Sequence, residues 1–354
     1  MRSTEDFDDS ALLLEQVNLA LENATPLRIQ GSNSKGFLGR TTAGEILDTR
    51  SHRGIVSYDP TELVITARCG TLLSELAEVL DAAQQMLPCE PPSFGESATL
   101  GGMIACGLSG PRRPWSGSVR DFVLGTRVIT GQGKLLRFGG EVMKNVAGYD
   151  LSRLMAGSFG CLGVITEVSL KVLPKPRQTL SISLDMDSEL ALRRLAQWGQ
   201  QPLPISAACH DGKRLHLRFE GGEGSVAAAH DRLGGERLDG MFWDDLNEHR
   251  LSFFDEDQPL WRLSVPHNSP RLSLPGRQLI DWGGAQRWLK SDAEVTFIRK
   301  VVEEVGGHVT GFSHGLTDSP FQPLPAALMR YHRSLKQQLD PQGIFNPGRL
   351  YAEL

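Results

Sequence analysis

No Cys-x-x-Cys pair occurs in this chain, and its five cysteines, at positions 69, 89, 106, 161 and 209, stand far apart. That spacing excludes a zinc site or an iron–sulfur cluster of the usual kind held by this chain alone. An odd number of scattered cysteines instead reads as reduced, mostly buried thiols. No apolar run is long enough to span a bilayer. The first ten residues hold four carboxylates and one arginine with no apolar core, so they do not read as a secretory signal. A net charge of −5 offers no basic field for nucleic acid. Neither the G-x-G-x-x-G dinucleotide fingerprint nor the G-x-x-x-x-G-K-[ST] phosphate loop is present, and no internal repeat or low-complexity tract appears. The expected location is the cytoplasm, with any membrane association made through a partner.

What the chain does have is length for two or three domains, an ordinary globular composition, and 38 glycines, several of them gathered in four loops. The first loop, Gly31-Ser32-Asn33-Ser34-Lys35-Gly36, follows the short strand 27–30. Its small residues allow backbone N–H groups to turn inward as an anion nest, and Lys35 adds a positive charge. The second, Thr99-Leu100-Gly101-Gly102, follows a proline-bearing segment. Two adjacent glycines admit close approach of a ligand to the backbone, and the threonine hydroxyl and glycine N–H groups suit a phosphate oxygen. The third is Lys144-Asn145-Val146-Ala147-Gly148-Tyr149-Asp150. The fourth, Gly157-Ser158-Phe159-Gly160-Cys161-Leu162-Gly163, feeds a strand over 164–172. Each loop taken alone also reads as a turn. Four in one domain exceed what turn-making requires, and a large phosphate-bearing ligand accounts for them together.

Around these loops, apolar periodicity predicts a helix over 9–23 capped by Ser10, with Leu12, Leu13, Val17, Ala20 and Leu21 on one face. A strand is expected at 63–67, and Thr71 is read as the cap of a helix bearing Leu72, Leu73, Leu76, Val79 and Leu80, in a βαβ-like opening unit. Residues 121–130 and 135–138 read as a hairpin. His52, between arginines, reads as a solvated side chain. The loop 107–117 brings Arg112, Arg113 and Trp115 either near a ligand or into a solvated turn.

The ordered set Gly31-Ser32-Asn33-Ser34-Lys35, Thr99-Leu100-Gly101-Gly102, Lys144-Asn145 with Gly148-Tyr149-Asp150-Leu151, and Gly157-Ser158-Phe159-Gly160 with Leu162-Gly163-Val164-Ile165-Thr166-Glu167 resembles the FAD-binding domain of the vanillyl-alcohol oxidase and para-cresol methylhydroxylase (PCMH) superfamily. Within it the chain is most similar to the FAD-binding subunits of bacterial glycolate oxidase, through its length and the run Leu27-Arg28-Ile29-Gln30-Gly31 with Phe37-Leu38-Gly39-Arg40. The resemblance implies an α+β fold: a PCMH-type FAD-binding domain of two α+β subdomains over 1–176, and a smaller α+β cap domain over 177–330. A C-terminal segment, 331–354, would return to the flavin domain. It implies FAD with its pyrophosphate on Gly31, Ser32, Asn33, Ser34 and Lys35 and near Thr99, Leu100, Gly101 and Gly102. The ring system would meet Gly163, Val164 and Ile165, with Ser109, Gly117, Asp121 and Asn346 as further contacts. Some members attach flavin through histidine or cysteine. No histidine occurs between His52 and His210, and Cys106 and Cys161 read as buried thiols, so the flavin is expected to be non-covalent.

The implied activity is oxidation of glycolate, or a similar 2-hydroxy acid, to the 2-oxo acid. Electrons would leave through a larger flavoprotein subunit and an iron–sulfur subunit. A self-sufficient flavin oxidoreductase and a non-catalytic FAD-binding subunit for assembly or electron relay stand as alternatives. No catalytic residue and no metal site is assigned: His308 and His314 lack accompanying carboxylates and the histidine- and acid-rich motif of related 2-hydroxy-acid dehydrogenases. Trp261-Arg262-Leu263 and residues 281–288 read as partner anchors or as core.

Overall fold

Residues 6–140, 150–255 and 257–354 are described by a computed structural model. The chain divides into two compact units: Met1–Ser109 with Ser118–Pro174 and Pro323–Leu354, and Gly110–Gly117 with Lys175–Gln322. The helices and strands form a mixed α+β architecture.

In the first unit, α1 (Ser10–Glu22) precedes two parallel strands, β1 (Leu27–Gln30) and β2 (Glu45–Asp48). The helix buries Leu13, Val17 and Ala20. Leu12, read from the periodicity as a core position, is 49% exposed. Ser10 does not cap this helix; Asp9 precedes it, and the Asp9 N–H donates to His52 Nδ1 at 3.0 Å. His52 is accordingly not solvated but fully buried, and burial pushes its pKa below the usual imidazole value.

Strands β3 (Ile55–Asp59) and β4 (Val64–Arg68), then β5 (Val123–Ile129), β6 (Leu135–Gly139) and β7 (Val164–Lys171), make an antiparallel sheet ordered β3-β4-β7-β5-β6. The opening unit is thus a hairpin beside a separate parallel pair, not a βαβ crossover. β7 is central and buried over all but its last residue, as its unbroken run of Val, Ile and Leu with small polar residues allows. Its Glu167 is held by Arg127 of the neighbouring β5 at 2.8 Å and by Arg137 of β6, one strand further, at 3.0 Å. Helices α2 (Leu73–Ala82) and α3 (Leu100–Cys106) supply Leu73, Leu76, Leu80, Met103 and Ile104 to the core on this sheet. Thr71 does not cap α2; its hydroxyl bridges to the backbone of Gly54, and Glu75 Oε2 accepts from the Leu72 N–H.

The C-terminal helix, Ala326–Leu339, has one buried residue, and it is a lysine. Lys336 Nζ donates to the carbonyls of Cys161 and Phe345, each at 2.8 Å, and to Asp340 Oδ2 at 2.7 Å. Asp340 also accepts from the N–H groups of Ile344 and Phe345. Phe345 then packs with Leu13, Val17, Leu27, Ile129 and Val164.

In the second unit, β8 (Gln178–Asp185), β9 (Ile205–His210), β10 (Arg214–Gly221), β11 (Glu236–Leu238), β12 (Leu260–Ser264), β13 (Arg277–Asp281), β14 (Gln286–Lys290) and β15 (His308–Gly311) form one antiparallel sheet. Its order is β11-β8-β10-β9-β13-β14-β12-β15. Helices α4 (Ser188–Trp198) and α5 (Glu223–Leu233) pack with β8, β9 and β10 around Ile182, Leu217 and Phe219. Helix α6 (Val295–Glu304) covers β12, β14 and β15 through Ile298 and Val302. Trp261 and Trp282, candidate partner anchors from sequence, are each 3% exposed and belong to the interior. Arg287 is wholly buried and donates to the carbonyls of Gly284, Ser269 and Pro270, which satisfies its fork without a carboxylate.

Replacing Asp340 by alanine leaves the Lys336 ammonium buried beside carbonyls alone. The expected loss in urea unfolding free energy is about 3–5 kcal/mol. The exposed Gln337→Ala is expected to change it by less than about 0.5 kcal/mol.

Candidate functional site

The first unit holds a cleft open to solvent. Its walls come from three segments far apart in sequence: residues 28–36, residues 99–106 and residues 159–165, with Asn346 and Arg349 from the closing segment.

The Gly31-to-Gly36 loop is a donor surface. Asn33 takes φ 62°, and its carbonyl accepts from the Gly36 N–H at 2.9 Å, so the backbone folds back on itself. The backbone N–H groups of Ser32, Asn33 and Ser34 meet no acceptor among the described residues. Exposed to a cleft, they form the nest expected of an anion-binding turn. Ser34 Oγ donates to the Ser93 carbonyl at 2.9 Å. Lys35 Nζ donates to the same carbonyl at 2.9 Å, so its charge is carried at the cleft wall in a fixed place.

The Thr99-to-Gly102 stretch plays a different part from the one its donors suggest. The Gly101 N–H is used by the Cys69 carbonyl at 2.7 Å, and Thr99 Oγ1 accepts from the Gly102 N–H at 3.3 Å. Thr99 caps α3 with its hydroxyl oxygen as acceptor. The two glycines also separate in role. A Cβ at Gly101 would stand 2.8 Å from the Cys69 Cβ, so Gly101 serves close packing. A Cβ at Gly102 would meet only Thr99 Oγ1, at 3.3 Å, and otherwise enter the cleft. At Gly31 any Cβ would collide with Thr99 Oγ1, so the first two loops can dock only with glycine there.

Gly163 and Ile165 line the cleft, whereas Leu100 and Val164 face the core and are 1% and 0% exposed. Ser109, Gly117 and Asp121 are not among the lining residues. Ser109 Oγ accepts from the Val119 N–H, Asp121 accepts from the Ser118 N–H and hydroxyl, and Gly117 ends a short helix of the second unit. Asn346 is at the cleft, with its amide committed to structure: Oδ1 accepts from the Ile29 N–H at 2.7 Å and Nδ2 donates to the Phe159 carbonyl at 2.6 Å. Lys144, Asn145, Gly148 and Tyr149 of the third loop lie outside the described residues.

Sequence reasoning missed Arg28, Thr49, Cys106, Phe159 and Arg349 as lining residues. Arg349 follows the Asn-Pro-Gly turn, and its guanidinium donates to the carbonyls of Arg40 and Gly36, holding the first loop from behind. The turn chemistry was readable; the 313-residue reach from Gly36 was not. Cys106 is half-buried, and desolvation pushes its thiol up to about 11, so it is protonated and weakly nucleophilic at neutral pH. No group of three or more metal-ligating side chains converges among the described residues, and no helix there is long and apolar enough to cross a membrane.

A glycine-lined cleft with unpartnered N–H groups at one wall and backbone room at another fits an extended dinucleotide with a pyrophosphate. This defines an FAD-binding protein, and residues 8–139 match the FAD binding domain family. Over 95% of its length the chain superposes with a TM-score of 0.68 on alkyldihydroxyacetonephosphate synthase, 75% of which is covered at 18% identity; this likeness concerns the fold. The glycolate oxidase subunit GlcE of Escherichia coli (strain K12) is 63% identical over 347 residues, covering 98% of this chain and 99% of that one. The glycolate oxidase subunit GlcD of Bacillus subtilis (strain 168) is 33% identical over 162 residues, 45% of this chain and 34% of that protein. A D-lactate dehydrogenase of Anaerostipes hadrus is 35% identical over 49% of this chain and 36% of its own length. The chain belongs to the glycolate oxidase GlcE subunit family.

If the cleft holds FAD, Gly102→Val fills it and should strip most flavin from the purified protein while circular dichroism stays unchanged. Lys35→Gln removes the wall charge and should weaken retention by about tenfold or more. Full visible flavin absorbance per chain in both variants would exclude this cleft as the cofactor site.

Proposed function

We propose that this chain is the FAD-binding subunit of a multi-subunit dehydrogenase that oxidises glycolate, or a similar 2-hydroxy acid, to the 2-oxo acid. The observation that carries it is the 63% identity to a glycolate oxidase subunit across nearly the whole of both chains. FAD, when bound, supplies the two-electron acceptor chemistry, and the protein supplies placement and electrostatics. Ser32, Asn33 and Ser34 would hold the pyrophosphate through their backbone N–H groups, with Lys35 offsetting its charge. Gly102 would leave room for it, and Gly163 and Ile165 would line the ring end. Arg349 and Asn346 act one step back, by fixing the loops that make these contacts.

The flavin is non-covalent on this reading. No histidine falls between His52 and His210, and the one cysteine at the cleft, Cys106, has its thiol raised by burial. Acid precipitation should release all flavin into the supernatant; a yellow pellet would contradict it.

The electron route would run through partners: a larger FAD-binding subunit of the same domain family and an iron–sulfur subunit. The chain has no Cys-x-x-Cys spacing to hold a cluster itself. Glycolate-dependent dye reduction per flavin is therefore expected to be low for the isolated chain and high in the reconstituted complex. Equal turnover in both would favour a self-sufficient oxidoreductase. Copurification with the tagged chain should identify two further polypeptides, one of them carrying iron and sulfide.

A further inference from the structure

Three cations line the cleft of the first unit, Arg28, Lys35 and Arg349, and no carboxylate is among the described residues that line it. Two of the three are committed to the protein. Lys35 Nζ donates to the Ser93 carbonyl at 2.9 Å. Arg349 donates to the carbonyls of Arg40 at 2.7 Å and Gly36 at 3.0 Å. Arg28 is exposed, and its guanidinium meets neither an acceptor nor a carboxylate among the described residues. On its face of β1 and β2 the one carboxylate is Asp48, and Arg50 holds that group at 2.6 Å. The Arg28 charge is felt at the Arg349 wall: burial first, and Arg28 in addition, pull Arg349 below its ordinary value.

The backbone that carries Arg28 is fixed on both edges. On one side β1 pairs with β2, where Arg28 lies opposite Ile46. On the other, the Leu27 N–H donates to the Ile344 carbonyl at 2.7 Å and the Ile29 N–H to Asn346 Oδ1 at 2.7 Å. The strand then runs directly into Gly31 and the nest of Ser32, Asn33 and Ser34. A dianionic pyrophosphate that leaves water needs countercharge as well as N–H donors. Lys35 and Arg349 can turn to it only by releasing carbonyls they already hold. Arg28 releases only water, and its planar fork matches two phosphate oxygens.

We propose that Arg28 is a pyrophosphate-binding residue, its guanidinium pairing with the phosphates of a dinucleotide whose backbone contacts are made by the Ser32-to-Ser34 nest. This role rests on the FAD reading of the cleft. Recognition is then divided: the nest contributes fixed, uncharged donors, and Arg28 contributes a full charge on a side chain free to reach the ligand.

Dilution of the flavin-loaded full chain, with release followed by the rise in flavin fluorescence, measures the affinity without turnover or partners. Arg28→Gln should weaken FAD binding by about tenfold or more. Arg28→Lys, which keeps the charge and loses the fork, should fall between, and Arg330→Gln, on the exposed C-terminal helix, should match wild type. Added salt should weaken wild type more than Arg28→Gln, because it screens an ion pair. ADP-ribose carries the same pyrophosphate and no flavin ring. Its ability to displace bound FAD defines its own affinity, which should drop in Arg28→Gln by the same factor as that of FAD. Wild-type FAD affinity in Arg28→Gln overturns the proposal; if Gly102→Val has meanwhile lost its flavin, the cleft assignment stands and Arg28 alone falls. Weaker FAD binding with unchanged ADP-ribose affinity also overturns it, since the contact is then to the ring system. A wild-type chain that carries no flavin and binds no ADP-ribose overturns the cofactor reading and the proposal together.

Discussion

The buried ammonium of Lys336 joins the closing segment of the chain to the cleft. Its three acceptors are two carbonyls and one carboxylate, all within 2.8 Å. Burying a charge is unfavourable unless every donor is met, and here three acceptors meet it. The cost is offset in a way that specifies one arrangement. Asp340 must face Lys336 and the Ile344 and Phe345 N–H groups together, which sets the path of residues 340–346. Along that path the Leu27 N–H reaches the Ile344 carbonyl at 2.7 Å, and Asn346 bridges Ile29 to Phe159. One cation thus sets the register of a segment that holds two walls of the cleft.

The glycines of the cleft divide the work that a single motif seems to share. Gly31 permits loop-to-loop contact, Gly101 permits packing on Cys69, and Gly102 leaves space for a ligand. The donors lie in a different loop from the space, at Ser32, Asn33 and Ser34. The N–H groups without an acceptor fold back through the left-handed Asn33, while Thr99 Oγ1 accepts from the Gly102 N–H of its own helix. In the second unit the sheet faces divide in a similar way. One is closed by α6 with aliphatic side chains. The other carries Arg262, Gln286 and Trp288, and places polar chemistry on strands stiff enough to hold it.

Much of the fold was legible because apolar period is a local property. The strand at 164–172, the hairpin after it in the sheet, and the alternating strands and helices beyond residue 177 follow from side chains a few positions apart. Caps were less legible. Asp9 rather than Ser10 borders α1 because His52, 43 residues away, takes its N–H, and Thr71 serves Gly54 rather than its own helix. Trp261 and Trp282 read equally well as surface anchors or interior, since a tryptophan looks the same in sequence whether a sheet covers it or not.

By itself the sequence determined the cofactor class, through an ordered set of glycine-bearing loops. Each loop alone also reads as a turn; it is their order that narrows the reading, and their backbone requirements are local. Tertiary structure decided which residues of those loops remain available to a ligand. A hydrogen bond to Cys69, Thr99, Ser93 or Phe159 removes a group from the cleft, and each such partner lies on a segment whose position depends on the whole packed unit. It also decided that Arg262 faces Trp282 and Arg113. Strand alternation sets which side of the sheet the arginine takes, but only the folded chain brings residues 113, 262 and 282 to one ring.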